Sequence, residues 1–305
     1  MADLDLKDIT DIKQLNDSGT EFHEAGDIQT ALQYYLRALE LTEDSDNKVD
    51  RALTVTNLGG VYFDFDEKDI ALEHFEEGLA LYQEAGDKAG EAWGFNSIGL
   101  WKADVGINKE ALENYEKALV LYREVDDKDG EAWALSNAGM AYSNMQDFDN
   151  AHDYYKQALA LYEALDDKEG QTAMLNNIGK SYANTGDREN GLEYLEKALT
   201  MRREIEDTEG EATTLNNIGG IYADMGEKRK ALTYFEPALK ILENGSDHVS
   251  TITTLTNIAA SYKGLGEARR ASPYEKRAKK LGRDMRNNAK KAKRARREIR
   301  RALGE

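Results

Sequence analysis

The chain has 305 residues, and a single hydrophobic core stops growing at about 250–300 residues, so two domains or an elongated array are favoured over one globule. Cysteine is absent, which excludes disulfides, zinc-thiolate sites and cysteine nucleophiles and suits a reducing compartment. The net charge of −18 is unevenly placed: residues 263–305 hold 17 Lys/Arg against 5 Asp/Glu, whereas residues 1–262 hold 23 against 53, which makes an acidic body with a basic tail.

Met1 to Asp5 are acidic and lack the apolar run of a signal peptide. No window reaches the roughly 18 continuous apolar residues of a membrane helix, and a soluble, cytoplasmic protein is expected. Two prolines in the whole chain fit a protein that is helical nearly throughout. Residues 1–14 read as a lead-in and the start of the first helix. From Leu15 onward the chain matches itself at a shift of 40 residues. Leu15-Asn16-Asp17-Ser18-Gly19 is followed by Val55-Thr56-Asn57-Leu58-Gly59, Phe95-Asn96-Ser97-Ile98-Gly99 and Leu135-Ser136-Asn137-Ala138-Gly139. Leu175-Asn176-Asn177-Ile178-Gly179, Leu215-Asn216-Asn217-Ile218-Gly219 and Leu255-Thr256-Asn257-Ile258-Ala259 complete the series. Seven matches at one spacing mark stacked supersecondary units, over residues 15–281.

Each unit reads as two helices. With Leu15 as position 1, helix A carries large apolar residues at positions 1 and 4, a small one at 5 and an aromatic at 8 (Phe22, Tyr62, Tyr142, Tyr182, Tyr222, Tyr262), the stripe of an amphipathic helix. Helix A stops at Gly26, Gly106, Gly186, Gly226 or Gly266, where glycine supplies a left-handed residue. Helix B carries Ala at position 17, an aromatic at 21 (Tyr35, Phe75, Tyr115, Tyr155, Phe235) and Ala at 24. The next unit opens at Asp87, Asp127, Asp167, Asp207 or Asp247, each placed to cap the following helix A. This predicts A helices near residues 9–25, 48–65, 88–105, 128–145, 168–185, 208–225 and 248–265, each followed by a helix B.

Small-x-x-aromatic in helix A, then Ala-x-x-x-aromatic-x-x-Ala in helix B, resembles the tetratricopeptide repeat. The 40-residue period with Asp-Lys-x-Gly-Glu-Ala, at Asp87 to Ala92 and Asp127 to Ala132, is similar to the longer repeat of Pins-type adaptors and kinesin light chains. The resemblance implies an all-α fold: a right-handed α-α superhelix (a TPR solenoid) of seven helix-turn-helix repeats plus a basic C-terminal helix. The pattern departs locally, with Lys102 beside Trp101 at position 8 of repeat 3, Gly191 for Ala in repeat 5, and Glu275 and Lys279 in repeat 7. A worn last repeat suits a terminal unit whose outer face meets water.

At about 100° per residue, position 3 lies on the far side of helix A from the core stripe, with positions 6, 10 and 39. In the family this free face lines a concave groove, which implies a protein–protein interaction adaptor or scaffold that binds a peptide or partner segment. Position 3 carries Asn57, Asn137, Asn177, Asn217 and Asn257, although asparagine is a mediocre helix former. A carboxamide both donates and accepts, so a file of them suits an extended backbone. It is similar to the asparagine ladder of O-linked N-acetylglucosamine transferases. The same residues equally suit ties between neighbouring A helices. Position 10 carries Asp64, Asp104 and Asp224, which point to a basic ligand or to a solvated helix end. Trp93 and Trp133, at position 39, suit binding anchors or inter-helix packing.

No enzymatic pattern stands out. Gly179-Lys180-Ser181 lacks the earlier glycine of a phosphate loop, and Asp64-Phe65-Asp66 lacks the glycine and glutamate of a calcium loop. His23, His74, His152 and His248 fall in four different columns with no metal-ligand spacing. No cofactor, metal or catalytic residue is expected.

Residues 282–305 continue a narrow apolar stripe (Leu281, Met285, Ala289, Ala292, Ala295, Ile299, Leu303) through a Lys/Arg surface, as a capping helix, a nucleic-acid or anion-binding element, or a segment that docks on an acidic body. The acidity of residues 1–262 argues against nucleic acid. The alternative function is therefore a self-assembling scaffold whose basic C-terminal helix docks on its own or a neighbouring copy. Pro237, inside helix B of repeat 6, is expected to bend or open that helix; Pro273 is expected at a helix start beside a Ser272 cap.

Overall fold

The computed structural model describes the backbone of residues 6–43, 45–243, 245 and 247–303, with side chains as far as Asn287 and Lys7 excepted. Among the described residues there are fourteen α-helices, a short 3-10 turn at Leu6–Asp8 and no strand. They form two units, residues 1–166 and 167–305.

The first unit holds α1 (Ile12–Glu24), α2 (Ile28–Thr42), α3 (Lys48–Asp64), α4 (Lys68–Ala85), α5 (Lys88–Asp104), α6 (Asn108–Glu124), α7 (Lys128–Asn144) and α8 (Phe148–Ala164). The second holds α9 (Lys168–Thr185), α10 (Arg188–Glu204), α11 (Thr208–Asp224), α12 (Lys228–Leu242), α13 (His248–Gly264) and α14 (Ala268–Leu303). Odd-numbered helices are the A helices, and their bounds follow the sequence expectation closely. The first starts later, at Ile12, where the Asp11 carboxylate accepts from the Gln14 amide.

The caps are those expected. Asp87, Asp127, Asp167 and Asp207 each accept from the backbone N–H of the glycine three residues on, at 2.8–3.2 Å. Asp247 does the same for Ser250. Glycines end five A helices with positive φ, but Asp66 and Gln146 hold the same left-handed place, as do Asp126, Asp166 and Glu206 between repeats.

Packing within each repeat turns on position 5. A Cβ added to Gly19, Gly59, Gly99, Gly139 or Gly219 would lie 2.5–2.6 Å from the ring at position 21 of its own repeat. Helices A and B therefore touch through a missing side chain. In the last repeat position 5 is Ala259 and position 21 is Glu275: the methyl is allowed where the ring is gone.

Of the two prolines, Pro273 departs from its expected place. α12 continues as one helix through Pro237. Thr233, whose carbonyl loses its donor, is exposed, so water can serve it. Pro273 lies within α14, which already starts at Ala268. The basic segment is the continuation of that helix to Leu303. Leu281 and Met285 are half-buried, and a Cβ on Gly282 would lie 3.7 Å from the Ile252 side chain of α13. The remainder of the apolar stripe, Ala289, Ala292, Ala295, Ile299 and Leu303, lies outside the described side chains.

Candidate functional site: the polar face of the A helices

In the first unit the position-3 asparagines reach back to the preceding A helix. Asn57 Nδ2 donates to Asn16 Oδ1 at 3.1 Å, and Asn137 Nδ2 to Asn96 Oδ1 at 3.3 Å. Asn16 is itself fixed: its Nδ2 donates to Ile12 O at 3.0 Å and to Thr54 Oγ1 at 2.9 Å. That leaves its Oδ1 as an acceptor, and Asn57 turns its Nδ2 toward it. The position-10 acids are also engaged. Asp64 Oδ2 lies 2.7 Å from His23 Nε2, and Asp104 pairs with Lys68. Trp93 and Trp133 are half-buried, and the Trp93 ring sits 6.4 Å from that of Tyr82.

In the second unit Asn217 Nδ2 donates to Asn176 Oδ1 at 2.9 Å, and Thr214 Oγ1 to the same oxygen at 3.4 Å. Asn216 Nδ2 donates to Thr254 Oγ1 at 2.6 Å. Asn177 and Asn257 are half-buried, and their side chains make no intramolecular hydrogen bond among the described residues. Asp224 is exposed and has no ion pair among them. It lines, with Asn257 and Lys228, a cleft of about 290 Å³. The asparagine file therefore divides. Asn57, Asn137 and Asn217 tie A helices together, while the Asn177 and Asn257 carboxamides do not.

Sequence reasoning missed two features that the repeat columns carry. Position 20 is aromatic or His in six repeats, and it pairs with the position-8 ring: Phe22–Tyr34, Tyr62–His74, Tyr142–Tyr154, Tyr182–Tyr194, Tyr222–Tyr234 and Tyr262–Tyr274, with centroids 5.2–5.9 Å apart. Where Lys102 replaces the ring in repeat 3, its partner column is Asn114, and Lys102 pairs instead with Glu110. The second is Arg202, which stands where Tyr82 and Tyr122 stand in other repeats. It is 9% exposed and 3.1 Å from the Asp207 carboxylate. Burial pushes its guanidinium below the usual arginine range, while Asp207 raises it.

Stacked helix pairs with a polar A-helix face define the class: an α-helical repeat protein, with no group of three or more His, Asp or Glu able to hold a metal ion among the described residues. The tetratricopeptide repeat model matches residues 16–84, 90–164 and 171–244, and the protein belongs to the tetratricopeptide repeat family. RapI in its apo form is similar in structure, with a TM-score of 0.71, 16% identity, and 90% of this chain and 99% of RapI covered. A Rap protein complexed with competence and sporulation factor is similar too, with a TM-score of 0.71, 17% identity, and 90% of this chain and 75% of that one covered. Nearly identical kinesin light chain repeats from Podosopora anserina align at a TM-score of 0.52 and 15% identity, over 64% of this chain and 96% of theirs. At such identities the likeness concerns fold alone. The comparison with curated proteins found no match. Among the described residues no helix is long and apolar enough to cross a membrane.

Proposed function

We propose that this protein is a non-enzymatic interaction adaptor that holds a partner protein or peptide segment against the A-helix face of its second unit, on α9, α11 and α13. One observation carries the reading. Asn177, Asn257 and Asp224 have no hydrogen-bond or ion-pair partner for their side chains among the described residues, whereas Asn57, Asn137, Asp64 and Asp104 on the corresponding face of the first unit are tied to neighbouring helices. A half-buried carboxamide with no protein partner gains most from a ligand that pairs with it. The preference for basic residues in the partner rests on Asp224, since Asp64 and Asp104 already have counter-groups. A Rap protein of similar fold is complexed with competence and sporulation factor, which supports partner binding as a use of this architecture.

The test is capture of partners by the intact chain, compared with a double variant Asn177→Ala/Asn257→Ala. Each lost hydrogen bond weakens binding by about 1 kcal/mol, and the thermal midpoint stays put because neither amide is spent on the fold. Equal capture by both proteins removes the reading.

The charge asymmetry supports a second reading, in which the basic end of α14 docks on the acidic body of its own or a neighbouring copy. A native mass above the monomer for the full chain, reduced by truncation after Lys280 and by salt, is its expected signature.

A further inference from the structure

The cleft where α11, α12 and α13 meet has a counterpart four repeats earlier, where α3, α4 and α5 meet, and the chain fills that earlier cleft itself. There Trp101 packs with Phe63 against the cluster built on Ala71, Phe75 and Ile98. Its indole Nε1 donates to the Lys68 carbonyl at 2.7 Å. One turn further along α5, Asp104 pairs with the Lys68 ammonium. Trp101 and Asp104 thus close the space with a ring, a donor and a carboxylate, three residues apart.

In the second unit every filling group has shrunk. Ala223 stands for Phe63, Ser261 for Trp101 and Gly264 for Asp104. The receiving groups have stayed: Lys228 stands where Lys68 stands and Phe235 where Phe75 stands. The result is a cleft of about 290 Å³ lined by Ala223, Asp224, Lys228, Phe235, Asn257 and Ser261, with Gly220 and Ala260 at its edge, at the small end of ligand pockets and suited to one side chain. Gly220 at its edge has nothing within 4 Å of a Cβ position, so the mouth is open. The Lys228 ammonium lies over Gly264, 2.0 Å from where a Cβ would be, and no carboxylate pairs with it among the described residues.

We infer that this cleft is an anchor site for a partner segment bearing an aromatic side chain with an N–H donor and, three residues later, a carboxylate, the two groups that Trp101 and Asp104 supply from within the chain in the earlier repeats. The ring enters over Phe235, its N–H meets the Lys228 carbonyl, and the carboxylate takes the Lys228 ammonium. Asn257 at the rim is left to pair with the segment's backbone. The inference rests on the proposed use of the second unit's A-helix face, and it adds an acidic group at Lys228 to the basic group that Asp224, on the same cleft, would take.

The probe is the blocked tetrapeptide of residues 101–104, Trp-Lys-Ala-Asp, carrying a fluorinated indole and titrated with the full chain by fluorine NMR. Broadening that saturates is expected, with affinity reduced about tenfold when the peptide's Trp is replaced by Ala, and reduced by Lys228→Gln or by Asn in place of the peptide's Asp. The variant Ser261→Trp/Gly264→Asp fills the cleft from within. It should abolish probe binding while its helical content and melting stay at least those of the wild type; if it fails to fold, Lys228→Gln decides alone. No broadening with the wild type, or binding unaltered by Lys228→Gln and by the filling variant, overturns the anchor site. Partner capture that survives the filling variant but is lost in Asn177→Ala/Asn257→Ala leaves the adaptor reading standing without the anchor.

Discussion

Asn96 faces Ala134 across the contact between α5 and α7 at the separation where Asn16 meets Thr54 and Asn216 meets Thr254, and Ala134 has no hydroxyl to offer. Thr54 accepts from Asn16 Nδ2 at 2.9 Å and Thr254 from Asn216 Nδ2 at 2.6 Å. Asn96 Nδ2, on a fully buried residue, has no hydrogen-bond partner among the described residues. Ala134→Thr should restore the missing acceptor. The buried threonines at 54, 214 and 254 show that the site in the repeat holds a Thr side chain at 0% exposure. A gain of about 1 kcal/mol is expected, read as a raised denaturant midpoint with an unchanged slope. Ala134→Val, of the same shape without the hydroxyl, should give none of it.

The glycine-to-ring contact predicts a sharp asymmetry along position 5. Gly139→Ala places a methyl 2.6 Å from the ring of the buried Tyr155, and should destabilise by about 1–3 kcal/mol as overpacking does. The reverse change in the last repeat, Ala259→Gly, relieves no ring, and should cost the helix propensity of glycine, about 1 kcal/mol, together with the burial of one methyl, about 0.8 kcal/mol. Thermal melts of the two single variants distinguish the contact from propensity, since propensity alone would make Gly139→Ala stabilising.

Helix bounds were legible in the sequence because their causes are local. Asp127 caps Gly130 three residues on, and Gly106 or Gly186 turns the chain within one helix end. The polar face was legible as an angle, but its partners were not. Whether Asn57 meets a ligand or Asn16, 41 residues away, depends on the rise and rotation between neighbouring A helices, which one helix wheel does not contain. The extent of α14 was misread for the opposite reason. Ser272-Pro273 carries a local start signal, and tertiary packing of Ala271 and Ala278, both buried, carries the helix through it. The open cleft near Lys228 could have been found in the columns, by noticing that Trp101 and Asp104 become Ser261 and Gly264 together.

Glu131 offers a pH test. Burial raises its carboxyl, but hydrogen bonds from Arg123 and Lys128 outweigh that and hold it below its ordinary value of 4.5. The Arg123 bond is 2.6 Å and the Lys128 bond 3.2 Å. A depressed carboxyl contributes stability that is present above its unfolded pKa and lost as pH falls through the lower folded value. Glu131→Gln should therefore lower the thermal midpoint at neutral pH, and the gap to wild type should close as pH is taken down to about 3, below the ordinary glutamate range. A gap that stays constant with pH would mean that side-chain shape at Glu131, and not its charge, supports the contact between α6 and α7.

Arg202 is the remaining irregularity, and repeating the neighbouring column should correct it. Its guanidinium stands 1.5 Å from where a Cβ on Gly210 would lie, the place taken beside Gly90 and Gly130 by the rings of Tyr82 and Tyr122, at 2.1 and 2.3 Å. Asp207 answers the charge at 3.1 Å while also capping Gly210 N at 2.8 Å, but Arg202 Nε is buried with no hydrogen-bond partner among the described residues. Replacing a buried ion pair by a well-packed apolar group is commonly neutral or stabilising by about 1–4 kcal/mol, whereas removing one partner and leaving a void is not. Arg202→Tyr should therefore raise the denaturant midpoint, because the ring fills a slot the fold already builds twice and Asp207 keeps its capping bond. Arg202→Ala should lower it, since the slot empties and the carboxylate loses its counter-charge. If both substitutions lower stability equally, the ion pair with Asp207 outweighs the packing of this slot, and Arg202 belongs to the α10–α11 contact as an electrostatic tie.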